Sequence, residues 1–200
     1  MDTIIKNKEL VQKKRKQIVE GALQLFLRKG YSETTVREIA NKSKISMGTL
    51  YNYINKKEDI LYLAYVEMLD VIHGAILSQE NKSDDPLKRL VDSLHMALDV
   101  TLRNLGDHVL ILYRESAKLS KKSLKLILSN ESQFVKHFEN IIVEGKKVGA
   151  FRTADPRFAA NIIAFLIVFG VMRKWNLKNY TIDEIIANTM DFVLSGILGK

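Results

Sequence analysis

Residues 31–57 read YSETTVREIANKSKISMGTLYNYINKK, and the fold can be read outward from this stretch. Val36, Ile39 and Ala40 give a short apolar helical face after Thr34 or Thr35, either of which suits an N-cap. Asn41 to Ser43 end that helix. A second short helix begins near Ser46, another suitable cap, and runs to about Tyr53. About four residues centred on Ser43 to Ile45 join them. Ala40 is small where two helices must cross, and Ile45 is an apolar plug in the turn. Such a corner holds the second helix away from the body for a DNA major groove, as in a helix-turn-helix.

Upstream, Ile18, Ala22, Leu25 and Phe26 form one face of a helix expected over 8–29, closed by Gly30 as its C′ residue. Downstream, Asn55 with Glu58 three residues on resembles a capping box, so a fourth helix is expected to start at Asn55. Its apolar stripe continues through Ile60, Leu61, Ala64, Tyr65, Met68 and Ile72. Asn81 to Asp85 reads as a loop. Asp85-Pro86 and Asp155-Pro156 are caps followed by Pro at the first helical position. They open helices to about Asn104 and Asn176, and Gly149 to Asp155 is a loop. Helices are also expected over 107–119 and 121–147, and Thr181 with Glu184 caps a last one reaching Leu198. The fold class is therefore all-α, with about nine helices: a helix-turn-helix domain over 8–54 and a helical domain over 55–200.

The 200 residues carry a net charge of +8, and its placement is uneven. Residues 1–60 hold 13 Lys/Arg and 7 Asp/Glu, whereas residues 61–200 hold 18 and 16. A basic head on a nearly neutral body is the footprint of a nucleic-acid binder, although charge alone fits a solubilising surface equally well. Lys13-Lys14-Arg15-Lys16 on the first helix is either a solvated face or a phosphate-flanking arm. There is no cysteine, which removes disulfides, thiolate metal sites and a thiol nucleophile, and fits a reducing, cytoplasmic setting. Neither HExxH nor GxxxxGKS occurs, and His73, His95 and His137 are too scattered for a metal pattern, so neither enzyme, metal nor cofactor is expected. Met1 to Val11 lack a signal-peptide core. The longest apolar-dominated run, Ala159 to Met172, has 14 residues and falls short of the roughly 20 that cross a bilayer, so no membrane span is expected.

Several blocks at fixed spacing resemble the TetR family of bacterial repressors. They are Gly30-Tyr31, Thr35-Val36-Arg37-Glu38-Ile39-Ala40, Ile45-Ser46-Met47-Gly48-Thr49-Leu50-Tyr51-Asn52-Tyr53 and Lys57-Glu58-Asp59-Ile60-Leu61. The resemblance is specific over about residues 10–63. Ile54-Asn55 departs from it, where many members carry an aromatic followed by a small or basic residue. It implies that Met47, Gly48 and Thr49 enter the groove. Gly48 lets the backbone approach, Met47 or Thr49 meets a thymine methyl, and Asn52 pairs with adenine. One of Tyr51 and Tyr53 would bond a phosphate and the other brace the helices. Thr35 and Ser46 would cap helices and face phosphates, Arg37 reach a base or phosphate, and Lys44 a phosphate. Lys57 is a cation at a helix N-terminus, where the dipole disfavours it; a nearby phosphate is the expected reason.

The resemblance also implies a homodimer on a palindromic double-stranded operator. The helix after Pro156 is apolar all round, so it is expected to pack on its own body and on a partner. The expected interface residues are Ile163, Ile167, Val171 and Trp175, with Ile186, Met190 and Val193 of the last helix. A small, mainly apolar effector is implied, with Tyr62, Tyr65, Met68, Met96, Tyr113, Arg114, Phe134, Phe138, Phe165 and Phe169 as candidate lining. A stripe of such aromatic and Met residues is more often core than ligand lining, and Arg114 reads first as the partner of Glu115 or another acid. The function expected is a ligand-responsive transcriptional regulator, a repressor released by its effector. The alternative is a basic helical protein that binds nucleic acid without sequence preference, or a membrane surface.

Overall fold

A computed structural model describes residues 8–80, 83–152 and 155–198; Met1 to Asn7, Asn81, Lys82, Thr153 and Ala154 of the readings above lie outside them. Among the described residues there are nine α-helices and no strand: α1 (Lys8–Lys29), α2 (Val36–Lys42), α3 (Met47–Tyr51), α4 (Glu58–Glu80), α5 (Pro86–Asn104), α6 (Gly106–Glu115), α7 (Lys121–Lys147), α8 (Pro156–Met172) and α9 (Ile182–Leu198). The all-α expectation stands. One turn of 3-10 helix, Ser116–Lys118, follows α6.

The caps explain most boundaries. Gly30 takes φ +89° and donates its N–H to Phe26 O, closing α1 as expected. Asp85 and Asp155 accept the N–H groups of Leu87 and Phe158, each ahead of a Pro at the first helical position. Thr181 and Glu184 satisfy one another's backbone N–H groups, a full capping box. Two expectations are corrected. The fourth helix starts at Glu58, because the carboxylate of Asp59, not of Glu58, accepts the N–H groups of Asn55 and Lys56. The eighth helix ends at Met172, four residues early, so Trp175 lies in the turn region beyond it.

The chain forms two compact units. The first comprises Met1–Met68 and Leu110–Ile127, and so holds the 8–54 segment together with the start of α4 and a later piece of chain. Its core includes Ile18, Phe26, Ile39, Leu50, Ile54 and Leu61, with Ile111 from α6. Full burial of each such side chain contributes about 1.5–3 kcal/mol against exposure. Gly21 allows a close approach: a Cβ there would sit 2.4 Å from Ser43 Oγ, at the end of α2. Gln17, one turn before it, donates to the Ser43 carbonyl.

The second unit comprises Leu69–Val109 and Leu128–Lys200. Here α8 packs on α5 and α9. Gly170 sets the closeness of that packing, since a Cβ would meet Leu102 of α5 at 2.7 Å and Ile185 of α9 at 2.9 Å.

Candidate nucleic-acid interface

The turn between α2 and α3 is built by backbone bonds. Ile45 N–H reaches Ala40 O at 3.0 Å and Lys44 N–H reaches Asn41 O at 3.1 Å, the paired closure of a Schellman motif. Lys44 accordingly takes a left-handed φ of 52°, and Ile45 packs against the core of the first unit, the plug expected of it. Thr35 caps α2 in a complete capping box with Glu38. Ser46 caps α3, accepting the N–H of Thr49 at 3.0 Å and lying 2.9 Å from its hydroxyl. The capping roles expected of Thr35 and Ser46 are therefore present.

The outward surface of this corner consists of Thr35, Arg37, Lys44, Ser46, Gly48, Tyr51 and Asn52, all exposed, with Thr49 half-buried. Tyr51 is 52% exposed and Tyr53 3%, so the two tyrosines divide as anticipated: one free for a partner, the other a brace in the core. Tyr53 therefore takes the bracing role, and Tyr51 alone is placed where a phosphate could reach it. Met47 is only partly available, because it packs against the same core. A Cβ on Gly48 would meet nothing nearer than Ser46 Oγ at 3.9 Å, so nothing inside the chain requires glycine there.

Lys57 has a structural engagement that the sequence did not suggest. Its ammonium lies 2.7 Å from Tyr31 O, 2.8 Å from Thr34 O and 3.3 Å from Ser32 O, and 4.3 Å from the centre of the Tyr31 ring. It therefore ties the start of α4 to the turn after α1, an internal reason for a cation at this helix N-terminus. Lys118 reaches Ser32 Oγ in the same place. Burial, with Glu58, Glu115 and Asp59 nearby, pushes the Tyr31 phenol up to about 12. Glu38 is held down at about 2 by the Lys29 ammonium, at 2.7 Å, and by the Thr35 N–H and hydroxyl. Gln17, Gly21, Lys29 and Lys118 are supports that the sequence reading missed. Only Gly21, a glycine inside an amphipathic helix, carried a readable signal.

Comparison with known proteins decides the family. Residues 18–62 match the sequence profile described as "Bacterial regulatory proteins, tetR family", and residues 83–197 match "Tetracyclin repressor-like, C-terminal domain". The chain belongs to the TetR family. It is 29% identical over 197 residues to the HTH-type transcriptional regulator HbdR of Aromatoleum sp. (strain CIB), covering 98% of this chain and 82% of that protein. The structure is similar to that of a tetR-family regulatory protein from Rhodococcus RHA1, with a TM-score of 0.81 and 24% identity over 92% of this chain and 97% of that one. It is also similar to AibR in complex with isovaleryl coenzyme A and operator DNA, with a TM-score of 0.72 and 21% identity over 92% and 98%. This is a helix-turn-helix transcriptional regulator and not an enzyme.

In this TetR-family chain the ten effector-pocket candidates divide between the two units. Tyr62, Tyr65, Met68, Tyr113 and Arg114 belong to the first unit, and Met96, Phe134, Phe138, Phe165 and Phe169 to the second. Tyr113, Arg114 and Phe165 are corrected to surface residues. Phe134 and Phe138 are buried in an edge-to-face pair, 5.4 Å apart. His73 stacks near Phe134 and His137 near Phe138, with His137 Nε2 3.2 Å from Ser93 Oγ. This mixed aromatic and polar cluster comes from α4, α5 and α7.

The expected interface residues also need correction. Ile163, Ile167, Val171, Ile186 and Val193 are buried inside the second unit, because α5 and α9 take that side of α8. Met190 is half-buried, and Trp175 is exposed with the Arg173 guanidinium 5.4 Å over its ring. The side of α8 and α9 left open carries Phe158, Ile162, Phe165 and Phe192. There α8 and α9 form an apolar groove of about 230 Å³, lined by Phe158, Ile162 and Phe192 together with Leu166 and Gly196. Among the described residues no helix is long and apolar enough to cross a membrane.

Proposed function

We propose that this TetR-family regulator is a repressor that reads a palindromic operator as a homodimer and lets go when a small, mainly apolar effector binds. Gly48 carries the reading of α3. Glycine costs about 1 kcal/mol against alanine in a helix and has no internal reason to be there, which suits a backbone that a DNA strand approaches closely. Arg37, Lys44, Tyr51 and Asn52 stand exposed around it, and the first 60 residues carry most of the positive charge.

Homodimerisation is supported by the open apolar side of α8 and α9. Phe158 and Phe192 are 68% and 67% exposed, an arrangement that water disfavours and a second copy would relieve. For the effector, the cluster of Phe134, Phe138, His73 and His137 offers apolar walls with a few polar groups. The acyl-coenzyme A bound by AibR supports an acyl compound as the class to try first. Release requires that the effector bind the DNA-incompetent arrangement more tightly than the competent one; affinity alone shifts nothing. The helix α4, which starts beside Lys57 and contributes to both units, is the element through which a change would pass.

Selection from a random duplex pool tests this reading. Recovered sites should be two-fold symmetric, with half-sites about 34 Å apart, and binding should fall when an acyl compound is added. Equal binding to duplex, single strands and anionic vesicles would instead favour a non-specific basic protein.

A further inference from the structure

The first unit contains a groove of about 610 Å³ that the reading of the DNA corner does not use. Its walls come from α1, from the segment between α3 and α4 with the first turns of α4, and from the first turns of α7. Three cations line it, Arg15, Lys56 and Lys122, against one carboxylate, Asp59. Tyr62, Leu63, Val66 and Leu126 provide an apolar floor. We propose that this groove binds an amphipathic anion, a phosphate or carboxylate head on an apolar chain, at a site separate from the aromatic cluster of the second unit.

The charges inside the groove are unequally engaged. Asp59 already accepts the N–H groups of Asn55 and Lys56, at 2.8 and 3.1 Å, so part of its capacity is taken. Lys56 is ion-paired with Glu58. Arg15 differs: its Nε is shielded from solvent and has no hydrogen-bond partner. A guanidinium N–H that has lost water without gaining an acceptor is costly, and an anionic oxygen in the groove would supply one. Lys122 is exposed and adds a second positive charge. The Ser120 and Ser123 hydroxyls, 2.9 Å apart, add polar groups beside it. The floor then explains why the head should carry an apolar chain, since bare phosphate would leave Leu63, Val66 and Leu126 uncovered. A duplex backbone fits less well, because it has nothing to lay on an apolar floor. The volume lies within the usual range of about 300–1,000 Å³ for small-molecule sites.

This site stands whether or not the second unit takes an effector, and the test keeps the two apart. Dodecyl phosphate, dodecanoate, dodecanol and inorganic phosphate are titrated by calorimetry, below micelle formation, into the full chain and into the Arg15→Gln, Lys122→Gln and Phe138→Ala variants. The expected result is binding of dodecyl phosphate or dodecanoate at least tenfold tighter than dodecanol, weakened at least tenfold by Arg15→Gln, less by Lys122→Gln, and little by Phe138→Ala. The preferred head distinguishes a phosphate from a carboxylate source. Tight binding that only Phe138→Ala removes would place the ligand in the second unit and overturn the proposal. So would equal affinity for dodecanol, no binding of any amphiphile, or displacement of the amphiphile by duplex DNA. Circular dichroism and thermal unfolding of each variant establish that a lost signal is not lost folding; if Arg15→Gln does not fold, Lys122→Gln and Leu126→Glu carry the same comparison.

Discussion

The ammonium of Lys57 lies 2.7 Å from the carbonyl oxygen of Tyr31 and 4.3 Å from the centre of its ring. One side chain thus satisfies carbonyls in the turn after α1 while fixing the start of α4. Replacing it by Met keeps the aliphatic stem and removes the charge. Hydrogen bonds to a charged donor contribute about 1.5–3 kcal/mol, so Lys57→Met should lower the unfolding free energy of the first unit by about 1–3 kcal/mol. Thermal unfolding measures this. Binding to specific and random duplexes should weaken together, because the loss lies in the support and not in the reading of bases.

Glu38 supplies a pH signature. Its carboxyl sits at about 2 in the folded chain, chiefly through Lys29 and the Thr35 groups, against 4.5 as the ordinary value. A depressed folded value means stability that is complete above about 4.5 and is lost as pH falls from there toward 2. Unfolding temperatures taken through that window should drop more steeply for the natural chain than for Glu38→Gln. Parallel curves would show that Glu38 contributes nothing to acid sensitivity.

Lys44 occupies a left-handed position that glycine would fill without strain. Lys44→Gly should therefore raise the unfolding free energy, by about 1 kcal/mol. If the ammonium also meets a phosphate, the same variant should bind duplex DNA more weakly and with a smaller salt dependence. The opposite signs of the two effects separate folding from recognition.

On the second unit, Phe158→Glu combined with Phe165→Glu puts two charges on the open side of α8. Sedimentation should show the natural chain as a dimer and the double variant as a monomer with unchanged helix content. A monomeric natural chain would leave that apolar side without its proposed partner.

Local rules read the helices well because the chain states them locally: Asp85-Pro86, Asp155-Pro156, Thr181 with Glu184, and Gly30 each fix an end with side chains a few residues apart. They failed where the deciding partner was distant or competing. The carbonyls that Lys57 holds were missed because they lie 23 to 26 positions earlier in the chain. Asn55 looked like a cap because the rival carboxylate, Asp59, is one residue beyond the pattern. An apolar helix such as α8 announces that it is buried without telling which side its own chain takes, so Ile163 and Phe165 could not be assigned to opposite sides. The aromatic residues proposed for an effector pocket had no register at all: packing placed Phe138 in the core and Tyr113 in solvent.

The most direct test of the central claim is to compare Gly48→Ala and Asn52→Ala with the natural chain on a selected palindromic duplex and on random DNA, by fluorescence anisotropy at fixed salt. Gly48→Ala should fold at least as stably as the natural chain, since the added methyl meets open space, yet bind the selected duplex more weakly. Asn52→Ala should lose about 1–3 kcal/mol on the selected duplex and little on random DNA. Unchanged affinity of both variants for the selected duplex would contradict the assignment of α3 as the element that reads DNA.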